Sequence, residues 1–375
     1  MILQPFLPVC RPQLPTAIEL LPYLQESDAT RHYTNRGPLV RRLELRLAEY
    51  LGLPSEAVRT ASNGTSAIEV AILALAGMAT PQRPYALLPS YTFAATALAA
   101  ERCGYRPIFC DVDPKTWSMD LGAVPQHPLL DKIGLILHVA PYGRAPQMRQ
   151  AERLTSLTGI PVVVDAAASF ERLLEDPSLV SGTVPMTISF HATKTFSTGE
   201  GGAVLWKNAA GQDSVVQAAN FGFNLSRRSE VPGMNAKLSD LHAAVGLAML
   251  DTFETRRKDY ASTAKAWATA AAGLPGGLHL PPELASIYIM WETPTSQIMD
   301  RAIGALTAAN IDSRRWYEDG LHRQPHFKRF GGPDVQSIAL PVTEDLGSRL
   351  LGLPMAHDLA KDQIERVVDV LASVL

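Results

Sequence analysis

Lys194 lies in the stretch SFHATKTFSTGEGGA, residues 189–203, between two apolar runs, TISFH and AVLWK. An isolated loop lysine is ordinarily solvated. The flanks open a second reading, because a strand closing at Ser189 to His191 and a glycine-rich exit, GEGG, would hold the amine at a sheet edge in an unusual turn. A lysine held beside an aldehyde there loses solvation, its pKa falls, and the free amine needed for imine formation becomes available. The same amine, once displaced, can carry protons between carbon centres. Asp165 closes another apolar run, PVVVD, which puts a carboxylate at the carboxyl edge of a central strand, where open α/β sheets bind ligands. It can cap the AAAS turn that follows, or it can hold a heteroaromatic ring nitrogen protonated and so make the ring withdraw electrons.

Two further stretches carry compatible chemistry. In ASNGTSAIEVAILAL, residues 61–75, Ser62 or Asn63 can cap a helix that opens on Gly64, Thr65 and Ser66. Small residues at a helix start leave backbone N–H groups free, and with the helix dipole they form a phosphate cradle, although capping alone is the commoner use. In PSYTFAATALAA, Tyr91 or Phe93 can stack on a planar ring, and core packing is again the commoner use. Ser189, five residues before Lys194, adds a hydroxyl. A phosphate cradle, a stacking ring, a ring-nitrogen partner and an imine-forming lysine are the parts of a pyridoxal 5′-phosphate site.

These residues need a scaffold that brings strand ends together. From about residue 37 to 250, short apolar runs alternate with segments of helical spacing, the pattern of a mostly parallel sheet covered by helices. Strands are expected at YALLP (85–89), PIFCD (107–111), GLILHV (134–139), PVVVD (161–165), TISFH (187–191) and AVLWK (203–207). Helices are expected at Ser66 to Leu75, Thr92 to Cys103, Pro146 to Thr158 and Leu238 to Tyr260. The connector GLPGGLHLPP (273–282) then leads to IYIMWE, SQIMDRAIGALTAAN and KDQIERVVDVLASVL, a smaller α/β lobe. The expected division is a large lobe with an N-terminal arm over 1–250 and a small lobe over 251–375.

Composition narrows the partners. The chain has 375 residues, 46% hydrophobic, and its net charge of −3 is spread over mixed acidic and basic positions, which gives no footprint for nucleic acid or an anionic membrane. Cys10, Cys103 and Cys110 lack CxxC spacing, which argues against a disulfide framework or a metal site and fits buried apolar filler in a reducing compartment. The opening MILQPFLPVCRPQLP has no basic segment followed by a long apolar one, and no window of about 18 apolar residues occurs, so the expectation is a soluble cytoplasmic protein. No GxGxxG, GxxxxGK[ST], HExxH or GxSxG motif is present.

The order of the motifs resembles the DegT/DnrJ/EryC1/StrS family of fold-type-I, pyridoxal-phosphate-dependent sugar aminotransferases. It is carried by YTNRGPLVRRLE, SNGTSAIEVAI, LPSYTFAATALA, DVDPKTWSMD, VVVDAAA, SFHATKTFSTGEGGA, GMNAKLSDLHAAVGLAML, LHRQPHF and LGLPM, which span nearly the whole chain. The resemblance implies an aspartate-aminotransferase-like α/β fold, with a mostly parallel seven-stranded sheet, helices on both faces and a smaller C-terminal α/β domain. It implies that Lys194 joins the cofactor and that Asp165 pairs with the pyridine nitrogen. Gly64, Thr65 and Ser189 would hold the phosphate, and Phe93 would stack on the ring. It also implies a homodimer with shared active sites, in which Asn235 or Lys237 reaches the partner's phosphate, and no metal. Two positions depart from the family pattern: Ala168 stands where glutamine or histidine is usual, and Ala140 where histidine is common. The implied reaction moves an amino group from an amino acid, L-glutamate, to a nucleotide-linked 4-keto-6-deoxy sugar in deoxyamino-sugar and polysaccharide biosynthesis. Sugar dehydratases of the family carry histidine at the lysine position, so Lys194 speaks against that chemistry. A keto-cyclitol or aminobenzoate-type substrate, or a cofactor-binding regulator, are the alternatives. Residues 224–233 belong to the loops on which substrate choice would depend.

Overall fold

The computed structural model describes residues 5–279, 285–330 and 339–375. Seven strands, β1 (Val58–Ala61), β2 (Tyr85–Pro89), β3 (Arg106–Cys110), β4 (Ile133–Val139), β5 (Val162–Asp165), β6 (Met186–Ser189) and β7 (Gly202–Leu205), form one sheet in the order β1-β7-β6-β5-β4-β2-β3. Strands β8 (Gly277–His279), β9 (Ile289–Glu292) and β10 (Leu350–Leu353) form a second, antiparallel sheet in the order β10-β9-β8. The helices are α1 (Ala17–Thr30), α2 (Pro38–Tyr50), α3 (Gly64–Leu75), α4 (Ala94–Arg102), α5 (Met148–Thr158), α6 (Phe170–Glu175), α7 (Ala209–Ala219), α8 (Asp240–Ala270), α9 (Ser296–Ala308), α10 (Pro341–Arg349) and α11 (Lys361–Ala372).

In the large sheet only β7 runs against its neighbours; β2, β3, β4, β5 and β6 pair in parallel. Parallel strands need both faces covered, so their residues are apolar without alternation and every position of β2, β4, β5 and β6 is buried. Alternate residues feed different cores. Ile136, Val164 and Ile188 pack with Leu43 and Leu47 of α2 and Leu247 and Phe253 of α8, whereas Leu135, Leu137 and Val163 pack on the opposite side with Ile68 and Ile72 of α3. Helices therefore cover both faces, and all the parallel strands end on one edge, the edge that carries the candidate site.

Helix α8 continues to Ala270, ten residues beyond the expected end at Tyr260, because its apolar stripe changes partner along its length. Its first half joins the core of the large sheet, and Tyr260, Ala264 and Trp267 join the core of the small one with Trp291, Leu351 and Ile364. Leu7 and Cys10 near the N-terminus bridge to Ile311 and Met355, so the first described residues run against the C-terminal part of the chain. Of the connector 273–282, residues 277–279 form β8, and 280–282 lie outside the described residues. Strand β1, VRTA, has no apolar run to mark it; pairing with β7 makes it a strand. Cys103 alone among the cysteines is buried, while Cys10 and Cys110 are half-buried, which corrects the expectation of three buried fillers.

One core residue is a liability. His138 on β4 is fully buried, and among the described residues neither ring nitrogen has a hydrogen-bond partner. Burial pushes its pKa from 6.5 down to about 4. The unfolded chain therefore binds a proton that the fold refuses between these pH values, and the stability present above pH 6.5 is lost as pH falls toward 4, at about 1.4 kcal/mol per pH unit. His138→Leu should flatten this acid limb in urea titrations at a series of pH values, and at pH 7 it should add on the order of 1 kcal/mol by removing an unpaired polar group.

Candidate active site

The carboxyl edge of the large sheet opens on a cavity of about 360 Å3 whose lining includes Gly64, Thr65, Phe93, Asp165, Ser189 and Lys194. Each reaches it from the end of a strand or the start of a helix. Asn63 is the N-cap of α3, with its Oδ1 accepting the Ser66 N–H at 2.8 Å, so the amides of Gly64 and Thr65 precede the first intrahelical bond and stay available to a ligand. This settles the choice between Ser62 and Asn63. A side chain at position 64 would meet Ser189 Cβ at 2.9 Å and Oγ at 3.0 Å, so only glycine lets the helix start close against the Ser189 hydroxyl. Gly202 admits the same approach from β7, because a Cβ there would lie 2.7 Å from the Asn63 carbonyl. GEGG thus returns the chain to the sheet beside the helix start.

Asp165 ends β5 and is buried. Its Oδ2 accepts from Thr96 Oγ1 at 2.7 Å and its Oδ1 from the Ala167 N–H at 3.1 Å, so it caps the turn and also faces the cavity. Burial raises its pKa, against the lowering by those two hydrogen bonds and by the Lys194 charge. A buried carboxylate that is costly to ionise gains from a cationic partner delivered by a ligand. Lys194 follows β6 in a turn closed by its N–H on the His191 carbonyl at 2.8 Å, and its Nζ donates to the Tyr288 hydroxyl at 2.9 Å.

Of the two stacking candidates, Tyr91 is buried and accepts a hydrogen bond from Tyr142 at 3.2 Å, whereas Phe93 is 62% exposed, lines the cavity and makes none of the described ring contacts. Asn235 and Lys237 are not brought to this cavity. They bond each other, Nζ to Oδ1 at 2.7 Å, and Lys237 lines a separate cavity of about 260 Å3 with Arg36, Arg41 and Arg59.

The sequence reading had not picked out the aromatic wall of the site. Tyr142 stacks on Tyr317 with ring centres 4.5 Å apart and meets Tyr288 edge-on at 5.3 Å; Trp316 closes on Tyr288 at the same separation. Burial holds the hydroxyls of Tyr142 and Tyr317 well above the usual tyrosine pKa, so both stay protonated. Tyr142 takes a left-handed backbone, φ +53°, uncommon for a bulky residue, and its ring is packed against Tyr288 and Tyr317. Arg314 joins Lys194 as the second basic side chain of the lining. Ala140 and Ala168, the two departures, line the same cavity and leave part of it apolar. The PYGR turn after β4 was the one signal available for Tyr142; Tyr288, Arg314, Trp316 and Tyr317 come from the C-terminal part and have no local mark.

Comparison with known proteins decides the family. The DegT/DnrJ/EryC1/StrS aminotransferase family matches residues 17–372. The chain belongs to that family. It is 34% identical over 369 residues to protein Rv3402c of Mycobacterium tuberculosis, covering 97% of this chain and 89% of that one. It is 28% identical to the dTDP-4-amino-4,6-dideoxy-D-glucose transaminase of Shigella dysenteriae, with 98% of both chains covered. Among solved structures, DesI in the presence of its TDP-sugar product superposes with a TM-score of 0.85 at 30% identity, covering 98% of this chain and 92% of that one. The protein is accordingly a pyridoxal-phosphate-dependent aminotransferase of the aspartate-aminotransferase-like fold. Its residues fit the cofactor on their own chemistry: a helix start with two free amides beside a serine hydroxyl suits a phosphate, the costly buried carboxylate suits a protonated ring nitrogen, and the lysine shares their cavity. Among the described residues no helix is long and apolar enough to cross a membrane, and no group of His, Cys, Asp or Glu could hold a metal ion.

Proposed function

We propose that this aminotransferase takes an amino group from L-glutamate and passes it to a keto-deoxy sugar carried on a nucleotide, acting as a homodimer. The observation that carries the chemistry is the convergence of Lys194, Asp165 and the α3 start on one cavity. Bound pyridoxal 5′-phosphate would supply an electron sink that acidifies the α-hydrogen of a joined amine. Gly64, Thr65 and Ser189 would hold its phosphate, Asp165 would keep its ring nitrogen protonated, and Phe93 would cover one face. Lys194 Nζ would tether it and, once released, take and return the proton at the reacting carbon. The names of the relatives support a nucleotide-sugar acceptor, and the apolar side formed by Ala140 and Ala168 suits a sugar that has lost a hydroxyl.

The dimer reading is supported by what one chain leaves open. Ile18 and Leu21 of α1 are 83% and 50% exposed, and Lys237 lines a cavity with Arg36, Arg41 and Arg59 instead of that of its own Lys194. On this reading Asn235 or Lys237 meets the phosphate held by the other subunit. The half-buried, unbonded Cys10 and Cys110 support a reducing compartment, the cytoplasm.

The decisive experiment adds L-glutamate to the protein loaded with cofactor and follows its visible absorbance. The yellow colour should be discharged, and one member of a panel of nucleotide-linked keto sugars should restore it. A colour stable to every amino donor overturns the transaminase reading in favour of a regulator; discharge that only a keto-cyclitol reverses overturns the acceptor.

A further inference from the structure

We propose that Tyr288 is the positioning residue for the reacting amine: its hydroxyl, 2.9 Å from Lys194 Nζ, holds that nitrogen in place through both of its protonation states. The proposal rests on Lys194 being the reactive amine. The contact joins residues 94 apart in sequence, one after β6 of the large sheet and one leading into β9 of the small sheet. Among the described residues it is the hydrogen bond in which either group's terminal atom takes part, so neither is satisfied elsewhere.

A free lysine chain has about 2 kcal/mol of rotamer freedom to lose, and an amine that must act repeatedly on one carbon gains from an anchor. Lysine alternates between ammonium and amine as it takes and returns a proton. A phenol suits both states: it accepts from the ammonium N–H and donates to the bare lone pair. A carboxylate at this point would instead fix the amine as ammonium.

Tyr288 is itself placed. Ser286 Oγ accepts its backbone N–H at 3.0 Å and donates to its carbonyl at 3.2 Å, and the ring is wedged edge-on between Tyr142 and Trp316. The other charged or titratable groups of the cavity are Asp165, Glu200, His191, Arg314, Tyr142 and Tyr317; the Lys194 charge also acts on Asp165 and on Cys10, and the hydrogen bond of Nζ among the described residues is to Tyr288.

The test is Tyr288→Phe, which keeps the ring and deletes the hydroxyl. In cofactor-free protein, labelling of Lys194 by an amine-specific reagent, followed by mass spectrometry across pH, should shift to lower pH. The labelling rate below its midpoint should rise roughly tenfold, as expected for the loss of one hydrogen bond to a charge. In loaded protein the colour should persist, while the rate of its discharge by L-glutamate falls roughly 10- to 100-fold with the half-saturating donor concentration little changed. A labelling profile and discharge rate both equal to the parent's would overturn the proposal. Should the phenylalanine variant fold poorly, ortho-fluorotyrosine at 288 keeps the ring size and acidifies the hydroxyl. The pH profile of discharge should then move down, and an unmoved profile overturns the proposal equally. Failure of the Lys194 reading is separate, since it would appear as an absorption spectrum left unchanged by Lys194→Ala.

Discussion

Lys194→Ala, loaded with pyridoxal phosphate under the same conditions as the parent, should lack the absorption band of the lysine-bound cofactor and lose transamination by a factor on the order of 10⁴ or more. Two losses combine in this variant. The covalent tether goes, and with it the band of the lysine-bound cofactor; the proton carrier goes too, which alone is worth about 10²- to 10⁴-fold. The fold should survive. Lys194 sits in a turn held by backbone bonds, with its N–H on His191 and the neighbouring Thr198 N–H on Phe190, and its side chain contributes one hydrogen bond to Tyr288. A melting temperature near the parent's together with an absorption spectrum identical to the parent's would show that the lysine is a solvated loop residue after all. On the proposed dimer, mixing Lys194→Ala with Lys237→Ala subunits should regenerate sites with both groups intact, and activity should return in the mixture although each variant alone is impaired.

The second large effect is expected at Asp165. Asp165→Asn keeps the shape and can still accept from Thr96, but it cannot hold a ring nitrogen protonated. Turnover should fall on the order of 10²- to 10³-fold, the scale of removing one preorganised charge from a reaction centre. The cofactor-free variant should melt at a higher temperature than the cofactor-free parent at pH 7, because burial raises the Asp165 pKa and ionised aspartate there is a cost to the fold. The sign follows from the raised pKa: the folded chain holds its proton to higher pH than the unfolded chain does, so the penalty grows as pH rises through that window. Less activity with more stability is the signature of a charge kept for chemistry. Full activity in Asp165→Asn would reduce the carboxylate to its turn-capping bond with Ala167.

How much of the site was legible follows from how each residue is placed. Gly64, Thr65, Asp165, Ser189 and Lys194 each stand at the junction of an apolar run with a polar turn or a helix start, and both signals are local in sequence. Strand β5 is VVVD, so its last residue had to emerge at an edge; the α3 start is N-G-T-S, so its amides had to be open. The two-way choices were a different matter. The choice of Asn63 over Ser62 as the α3 cap rested on which side chain met the Ser66 N–H, and whether Tyr91 or Phe93 was free to stack depended on neighbours supplied by Tyr142 and Tyr317. Strand β1 and the continuation of α8 past Tyr260 were hidden for the same reason, since each is fixed by a partner distant in the chain.

The sequence by itself determined which chemistry is available: an amine, a carboxylate and a phosphate cradle, each fixed to the end of an element whose apolar pattern forces it to the same sheet edge. Only the tertiary structure decided what surrounds that chemistry. It brought Tyr288 from the small sheet onto Lys194, stacked Tyr317 on Tyr142, turned Arg314 into the cavity and set Lys237 in a groove of its own. The physical reason is range, because strand ends and helix caps are written within a few residues, whereas a wall built from residues more than a hundred positions apart exists only once two hydrophobic cores have packed together.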